Sequence, residues 1–330
     1  MKNEMKRIQN FQALRGVAFL LIFISHCFGN LKWWGASGVS LFIILSGFLE
    51  GMKYSNAKYP PLEDYVKRKI GKIYPLHLAT LIISIPLSVS LFRESGARKY
   101  FAKLIVNALM LQSWIPIESV YFSFNAVSWY LSLVILFAVV SPFLVKKVQE
   151  SNYSGLVGIG GGIILKLMIF LLSNIVAASH WLVYVFPISR LIDFAIGIFL
   201  FKVSCEFNKR AWVALAGGLV EVLCLSAVVF IDNDFFSSIA WVVPSCMIIY
   251  SLYYRNGVKG NSLVWLGNLS FELFLIHQVV IRYVGAILRH LLHTDNHIST
   301  AVISFGISIV AATIWKKLTS NGIIKTYSEE

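Results

Sequence analysis

Long apolar segments recur along the chain and are separated by short polar stretches. A bilayer core of about 30 Å needs roughly 17 to 25 apolar residues in a helix. On that rule ten segments are predicted to span a membrane: 11–29, 36–52, 73–92, 127–145, 156–173, 181–203, 212–231, 235–252, 263–287 and 299–315. Residues 101–115 are apolar but short, and are predicted to form an interfacial or re-entrant helix. The pattern predicts an all-α, polytopic membrane bundle.

Composition and charge agree with this assignment. Hydrophobic residues make up 57% of the chain and charged residues 14%, which excludes an ordinary water-soluble domain. With the N-terminus in the cytoplasm, nineteen of the 29 Lys and Arg residues fall in inner segments, six in outer segments and four within spans. This bias follows the positive-inside rule, and an even number of spans returns the C-terminus to the cytoplasm. The net charge of +13 is therefore explained by topology, and no nucleic-acid partner is expected.

Two polar side chains interrupt the first predicted span. Arg15 and His26 are eleven residues apart, which is about three turns plus 20° and a rise of roughly 16 Å. Both therefore point to one face, with Arg15 near the cytoplasmic entrance and His26 in the outer half of the bilayer. Such side chains usually face a cavity or a partner, because burying them in hydrocarbon is costly. A snorkelling arginine and a packing histidine are the alternative.

A later span carries a possible ion pair. Arg190 and Asp193 are three residues apart and can pair along one helix face. Pro187 is predicted to kink the helix one turn earlier and to direct Arg190 at a cavity. A structural ion pair and a ligand-binding arginine both fit this pattern.

The ninth predicted span carries a second histidine. Ser270 and His277 are seven residues apart and share a helix face, whereas Glu272 points elsewhere. Counted from the inner end of the span, His277 lies at about the depth of His26 in its own span. His277 is therefore either a packing histidine or a second residue of the same cavity. Glu272 is expected to be paired or to face a second cleft.

One outer segment contains residue types that can bind zinc: His290, His293, Asp295 and His297. The segment is short and has no evident fixed geometry, so we predict a solvated loop and no metal site. The sequence contains no G-x-S-x-G elbow, Walker loop, H-E-x-x-H motif or dinucleotide fingerprint.

Six short motifs follow one another along the chain: "ALRGVAFLLIFISHC", "GASGVSLFIILSGFL", "KRKIGKIYPLHL", "AVSWYLSLVILFAVVSPFL", "RLIDFAIGIFL" and "LGNLSFELFLIHQ". In this order they resemble the helices of the acyltransferase family 3 membrane proteins, whose members move acyl groups, commonly acetyl, onto envelope or exported carbohydrates. Arg15 and His26 reproduce that family's signature of an arginine, ten residues and a histidine.

Two departures from the family pattern limit what the resemblance implies. Many members have a glutamate shortly after the tryptophan of the fourth motif, where this chain has Val134 and Ile135. No acidic role is therefore assigned there. The third motif commonly contains two arginines, where this chain has Arg68 and then Lys72, which weakens a bidentate phosphate contact.

Because no segment of the 330 residues is both polar enough and long enough for a soluble domain, we expect a single membrane domain over residues 1–330, without an appended soluble domain. The expected location is the bacterial inner membrane. The resemblance implies acetyl-CoA or another acyl-CoA as a cytoplasmic co-substrate, and a carbohydrate or glycolipid hydroxyl as the acceptor. No permanently bound cofactor is expected, and the oligomeric state is left open.

Acyl transfer to a hydroxyl needs a base, and histidine suits this role because it titrates near neutrality. We hypothesise that His26 is the base, or briefly carries the acyl group, and that Arg15 contacts the donor on the wall of the same cavity. Further donor or sugar contacts are assigned to Arg68, Lys72, Trp129, Arg190, Ser270 and His277. The competing interpretation is a secondary transporter or flippase, with the intramembrane Arg, His and Asp residues forming a substrate or proton pathway.

Overall fold

The computed structural model describes residues 2–55, 57–207, 212–227, 230, 233–255, 261–322 and 324, which form helices and turns without a strand. Its α-helices are α1 (Lys2–Cys27), α2 (Lys32–Lys53), α3 (Leu62–Ser84), α4 (Val89–Ala108), α5 (Glu118–Tyr121), α6 (Trp129–Glu150), α7 (Gly155–Ser173), α8 (Pro187–Glu206), α9 (Trp212–Ala227), α10 (Phe235–Ser238), α11 (Val242–Tyr254), α12 (Asn261–Asn268), α13 (Ser270–Leu292) and α14 (His297–Ser320). The predicted all-α class is confirmed.

Seven helical segments within the described ranges are long and apolar enough to cross a membrane, or eight if one bent pair forms a single span. They are Gln9–Cys27, Gly29–Lys53, Ala126–Glu150, Gly155–Ser173, Phe235–Tyr254, Ser270–Leu291 and His297–Ser320. The bent pair corresponds to the third predicted span, and α8 and α9 correspond to the sixth and seventh. Ten spans are therefore compatible with the structure, although that number is not confirmed.

Some of the sequence predictions fall outside the described residues. They concern residues 228, 229 and 231 of the seventh predicted span, and four of the basic residues assigned to inner segments, Lys209, Arg210, Lys259 and Lys325.

The third predicted span is displaced in the structure. Its helix begins at Leu62 and ends at Ser84, and the segment Pro86–Ala108 turns away from it by 55°. Pro86 opens a 3₁₀ turn, where its missing N–H prevents a regular continuation of the helix. A second bend occurs inside α4 at Gly96, whose φ of 74° favours glycine. The apolar stretch 101–115 is α-helical as far as Ala108, within α4, and forms a 3₁₀ turn at Gln112–Trp114.

The prediction of a proline kink within the sixth span is wrong. Pro187 lies in the first turn of α8, directly after the π-helical turn Trp181–Val185. A proline at that position has no intrahelical hydrogen bond to lose, so it starts the helix without bending it.

Helix α2 lies in the centre of the bundle and packs along both α1 and α8. Glycines permit this close approach, since a methyl group on Gly47 would overlap the carbonyl oxygen of Phe194. Gly197 is similarly close to Ile44, and Gly38 lies against the backbone of α1. Small residues are a common means of close helix packing in membranes. The contact fixes α1 and α8 on either side of α2.

Candidate functional site

Two cavities lie at different levels along α1, one at its C-terminal end and one beside its middle. The outer cavity has a volume of about 810 Å³ and is lined by His26, and the inner cavity has a volume of about 880 Å³ and is lined by Arg15. Because α1 is continuous, the two residues are separated by roughly 16 Å along the helix. The structure therefore places the two principal candidates in separate cavities, where the sequence hypothesis put them on the wall of one.

The outer cavity combines flat aromatic surfaces with hydrogen-bonding groups. Its aromatic and polar side chains include Trp33, Phe122, Trp129, Phe170, Tyr184 and Phe274, together with Ser25, Lys32, Glu118, Asn174, His180, Asn233, Asp234 and Gln278. Trp129, one of the predicted substrate contacts, is part of this wall and packs on Tyr184 with ring centroids 4.9 Å apart. Such a lining suits a ligand that has both apolar faces and several polar groups.

His26 forms a pair with His277 across the interface of α1 and α13. Nδ1 of His26 lies 2.9 Å from the carbonyl oxygen of Ile22 and 3.2 Å from Nε2 of His277. Nδ1 of His277 lies 2.9 Å from the carbonyl oxygen of Leu273. Because a carbonyl only accepts hydrogen bonds, each Nδ1 carries a proton. Nε2 of His277 then accepts from His26, and Nε2 of His26 keeps its lone pair for another proton.

His277 lies at the predicted depth but does not line the outer cavity. Its side chain is fully buried, with the rings of Phe19, Phe23 and Phe274 around it. His26, in contrast, is exposed to the outer cavity. The sequence allowed a packing role or a cavity-lining role for His277. The hydrogen bond to His26 is a third arrangement, which sequence spacing alone could not indicate.

The inner cavity gathers positive charge around Arg15. Lys72 and Ser270, both predicted donor contacts, line it together with Glu272 and Lys316. Lys316, from α14, was not singled out in the sequence, although it follows the last apolar segment directly. Three cations and one carboxylate give the cavity a positive balance, which suits an anionic ligand such as a phosphate group.

Arg68 is placed apart from this cluster. Its Nε donates a hydrogen bond to the carbonyl oxygen of Asp64 at 3.3 Å, one turn earlier in α3. Lys72, one turn later, is the member of the third motif that lines the inner cavity.

Arg190 is fully buried in an ion cluster. Its Nη1 lies 2.9 Å from Oδ2 of Asp193, and its Nη2 donates to Oγ of Ser40 at 3.3 Å. Nζ of Lys166 lies 2.6 Å from Oδ1 of the same aspartate. The predicted pair between Arg190 and Asp193 is therefore formed, with Lys166 as a third member. Arg190 approaches the outer cavity through Tyr184, over whose ring the guanidinium lies at 5.4 Å.

A second charged group lies on the rim of the outer cavity. Oδ1 of Asp234 is 3.3 Å from Nδ1 of His180, and Oδ2 accepts a hydrogen bond from Ser179 at 3.2 Å. The hydrogen bond from His180 holds the pKa of Asp234 below its usual value. An ionised carboxylate therefore remains at the cavity rim over the neutral pH range.

The predicted loop after α13 is exposed and is held by a weak ion pair. Arg289 and Asp295 approach to 3.9 Å between well-exposed side chains. Within the described part of the chain, no three His, Cys, Asp or Glu side chains are grouped so as to hold a metal ion.

Comparison with known proteins identifies the class of the protein. The family described as "Acyltransferase domain" matches residues 8–316 of the chain. The chain belongs to acyltransferase family 3. It is also 26% identical over 268 residues to "Acyltransferase MdmB" of Streptomyces mycarofaciens, a match that covers 76% of this chain and 69% of the relative. No solved structure matches significantly.

Membership of acyltransferase family 3 confirms the resemblance of the six motifs, all of which lie within the matched residues. The protein is an acyltransferase, and its apolar helices place it in a membrane. This assignment favours the enzyme over the transporter or flippase.

Proposed function

We propose that this family 3 acyltransferase moves an acetyl or related acyl group from cytoplasmic acyl-CoA to a hydroxyl of an envelope or exported carbohydrate. The bacterial inner membrane is the location that fits this reaction. The observation that carries the proposal is the pair of His26 and His277, because it leaves Nε2 of His26 unprotonated beside the outer cavity.

His26 acts as the general base in this proposal. Its Nε2 takes the proton of the acceptor hydroxyl as the oxygen attacks the thioester carbonyl carbon. A carbon–oxygen bond forms, the carbon–sulfur bond breaks, and the departing thiolate receives the proton. His277 stays neutral and accepts a hydrogen bond from Nδ1–H of His26, so it orients the ring of His26 and stabilises the imidazolium that forms there.

The inner cavity holds the donor in this proposal. Arg15, Lys72 and Lys316 bind the phosphate groups of acyl-CoA, since charge-assisted contacts to phosphate are strong. The thioester arm then extends along α1 towards His26.

The composition of the outer cavity supports a carbohydrate acceptor. Trp33, Trp129 and Tyr184 offer flat apolar surfaces for a sugar ring, and Asn174 and Gln278 offer amides for its hydroxyls. The ionised Asp234 adds an acceptor for a hydroxyl proton at the rim.

The proposal is tested by transfer of radiolabelled acetyl from acetyl-CoA into envelope carbohydrate. Membranes containing the wild type, His26→Ala, Arg15→Ala or the exposed control His290→Ala are compared at matched expression. We expect His26→Ala to lower kcat by at least about 100-fold, because it removes the base. Arg15→Ala should mainly raise KM for acetyl-CoA, and His290→Ala should behave as the wild type. Full transfer without His26 would remove it as the base but leave the enzyme class standing.

A further inference from the structure

An apolar cavity lies between α7, α9 and α11. Its volume is about 520 Å³, and apart from Lys166 and Cys224 its lining side chains are apolar. The ammonium group of Lys166 lies 2.6 Å from Asp193, so mainly its aliphatic stem is left to the cavity wall. The cavity therefore offers almost nothing to a polar ligand.

One face of α7 lines both this apolar cavity and the outer cavity. Ile163, Lys166 and Leu167 line the apolar cavity, and Phe170 and Asn174 line the outer cavity. Steps of three, four, seven and eleven residues from Ile163 return to the same helix face. In the predicted orientation α7 runs outward, so the apolar cavity lies within the bilayer and the outer cavity lies at its outer boundary.

The start of the short helix α10 lies at the same boundary between the outer cavity and the apolar cavity. Asn233 and Asp234 line the outer cavity, whereas the next two residues, Phe235 and Phe236, line the apolar cavity. Phe235 contacts Phe170 across the boundary, with ring centroids 5.9 Å apart. The walls thus change from polar to apolar within one residue step.

The apolar cavity borders the lipid-facing surface of the bundle. Only 17% of the residues in the most apolar stretch of α7 are buried inside the protein, and the cavity residues Leu223 and Val243 are 68% and 48% exposed. At this depth such surfaces contact hydrocarbon and not water. A hydrocarbon chain can therefore reach the cavity from within the bilayer.

We propose that the acceptor is an amphiphile: a lipid-linked sugar whose head group lies in the outer cavity and whose hydrocarbon chain lies in the apolar cavity. This inference rests on the proposed function and narrows the acceptor to one class. A soluble sugar would use only the polar walls. A chain held in the apolar cavity, in contrast, fixes the sugar at the depth of His26, which restricts its motion before reaction.

The test uses a source strain from which the gene for this chain has been deleted and in which each variant is expressed. Incorporation of labelled acetyl into the membranes of these strains is measured. Leu223→Trp and Val243→Trp fill the apolar cavity from exposed positions, and Val310→Trp is the control, because Val310 is 57% exposed on α14. We expect the wild-type label to be alkali-labile and extractable with chloroform and methanol. The two cavity variants should transfer at least about tenfold less label, and the control should match the wild type.

A second measurement separates this inference from the proposed function. Acetyl-CoA should raise the Tm of the purified cavity variants as it raises that of the wild type, because the donor binds in the inner cavity. Label found only in water-soluble carbohydrate, with both cavity variants fully active, would overturn the amphiphilic acceptor and leave the enzyme standing. Absence of both transfer and donor-induced stabilisation in the wild type would overturn the proposed function, and this inference with it.

Discussion

The proton on Nδ1 of His26 has two acceptors, and only one of them is a side chain. His277→Ala removes that side chain while the carbonyl oxygen of Ile22 stays in place. We expect kcat to fall by about 10- to 100-fold, because the ring loses the group that fixes its orientation and supports its positive charge. KM for acetyl-CoA should stay within about twofold, since His277 lies away from the inner cavity. Steady-state kinetics at varied acetyl-CoA would show this separation.

A conservative variant distinguishes positioning from packing at the same residue. The amide oxygen of His277→Gln can accept the Nδ1 proton of His26, whereas His277→Phe fills the space without an acceptor. We expect partial recovery of kcat with glutamine and none with phenylalanine. Equal activity of these two variants would assign His277 to packing alone.

Asp234 gives a prediction about acid stability. Its pKa in the folded protein lies below its usual value because of His180. The carboxylate therefore stabilises the fold above the unfolded-state pKa, and this contribution is lost as the pH falls through the lower folded-state pKa. We expect Asp234→Asn to lower Tm at pH 6 to 8, with a difference from the wild type that shrinks below about pH 4. Thermal unfolding of the detergent-solubilised protein at several pH values measures this difference.

The control for Asp234 is the exposed Asp295. Its carboxylate is 73% exposed and lies 3.9 Å from Arg289, so Asp295→Asn should change Tm little at any pH. A difference between Asp234→Asn and the wild type that grows on acidification would contradict the assigned direction of the pKa shift.

At the level of helices, the close packing of α2 against α8 depends on glycines at their contact. A methyl group on Gly197 would overlap the carbonyl oxygen of Ile44, and neither backbone can move away without separating the helices. We expect Gly197→Ala to destabilise the protein by about 1–3 kcal/mol. Gly160→Ala on α7 has open space around the added methyl group and should be neutral or slightly stabilising. Comparison of Tm for the two variants separates the effect of the helix contact from the general effect of replacing a helical glycine with alanine.

Helices were predicted better than the contacts between them. Apolar length was sufficient to place a helix in each of the ten predicted spans, because a membrane helix satisfies its backbone hydrogen bonds within itself. The start of α8 at Pro187 was missed, since a proline can either kink a helix or begin one. The neighbouring residues in the sequence do not show whether Pro187 kinks a helix or begins one. In the structure the π-helical turn Trp181–Val185 ends directly before it, so Pro187 begins α8.

Among the polar contacts of the candidate site, those within one helix were predictable from the sequence and those between helices were not. The pair of Arg190 and Asp193 was predictable because both residues lie on one helix, three positions apart. Lys166 joins them from α7, and His277 reaches His26 from α13, so both contacts depend on how helices are arranged. Helical periodicity gives the face and the depth of a residue but not the helix that packs against it. The single-domain organisation and the roles of the site residues stay predictions.

At the scale of the whole molecule, the inner and outer cavities predict an orientation of the protein in the membrane. The inner cavity contains Arg15, Lys72 and Lys316, and the basic bias of the predicted inner segments predicts that it opens to the cytoplasm, the compartment of the proposed acyl-CoA donor. The outer cavity then faces the opposite side with His26. In the proposed reaction the acyl group then moves outward, while the nucleotide part of the donor stays on the inner side.

Single-cysteine labelling tests this orientation. After replacement of the four native cysteines, Asp295→Cys in the loop between α13 and α14 should react with an impermeant maleimide in intact spheroplasts. Glu150→Cys, at the inner end of α6, should react only after permeabilisation; both positions are well exposed, at 73% and 67%, so access by the reagent depends on the side of the membrane. The reverse labelling pattern would place Arg15 outside. The inner cavity would then face a compartment without acyl-CoA, and its cations would need another ligand.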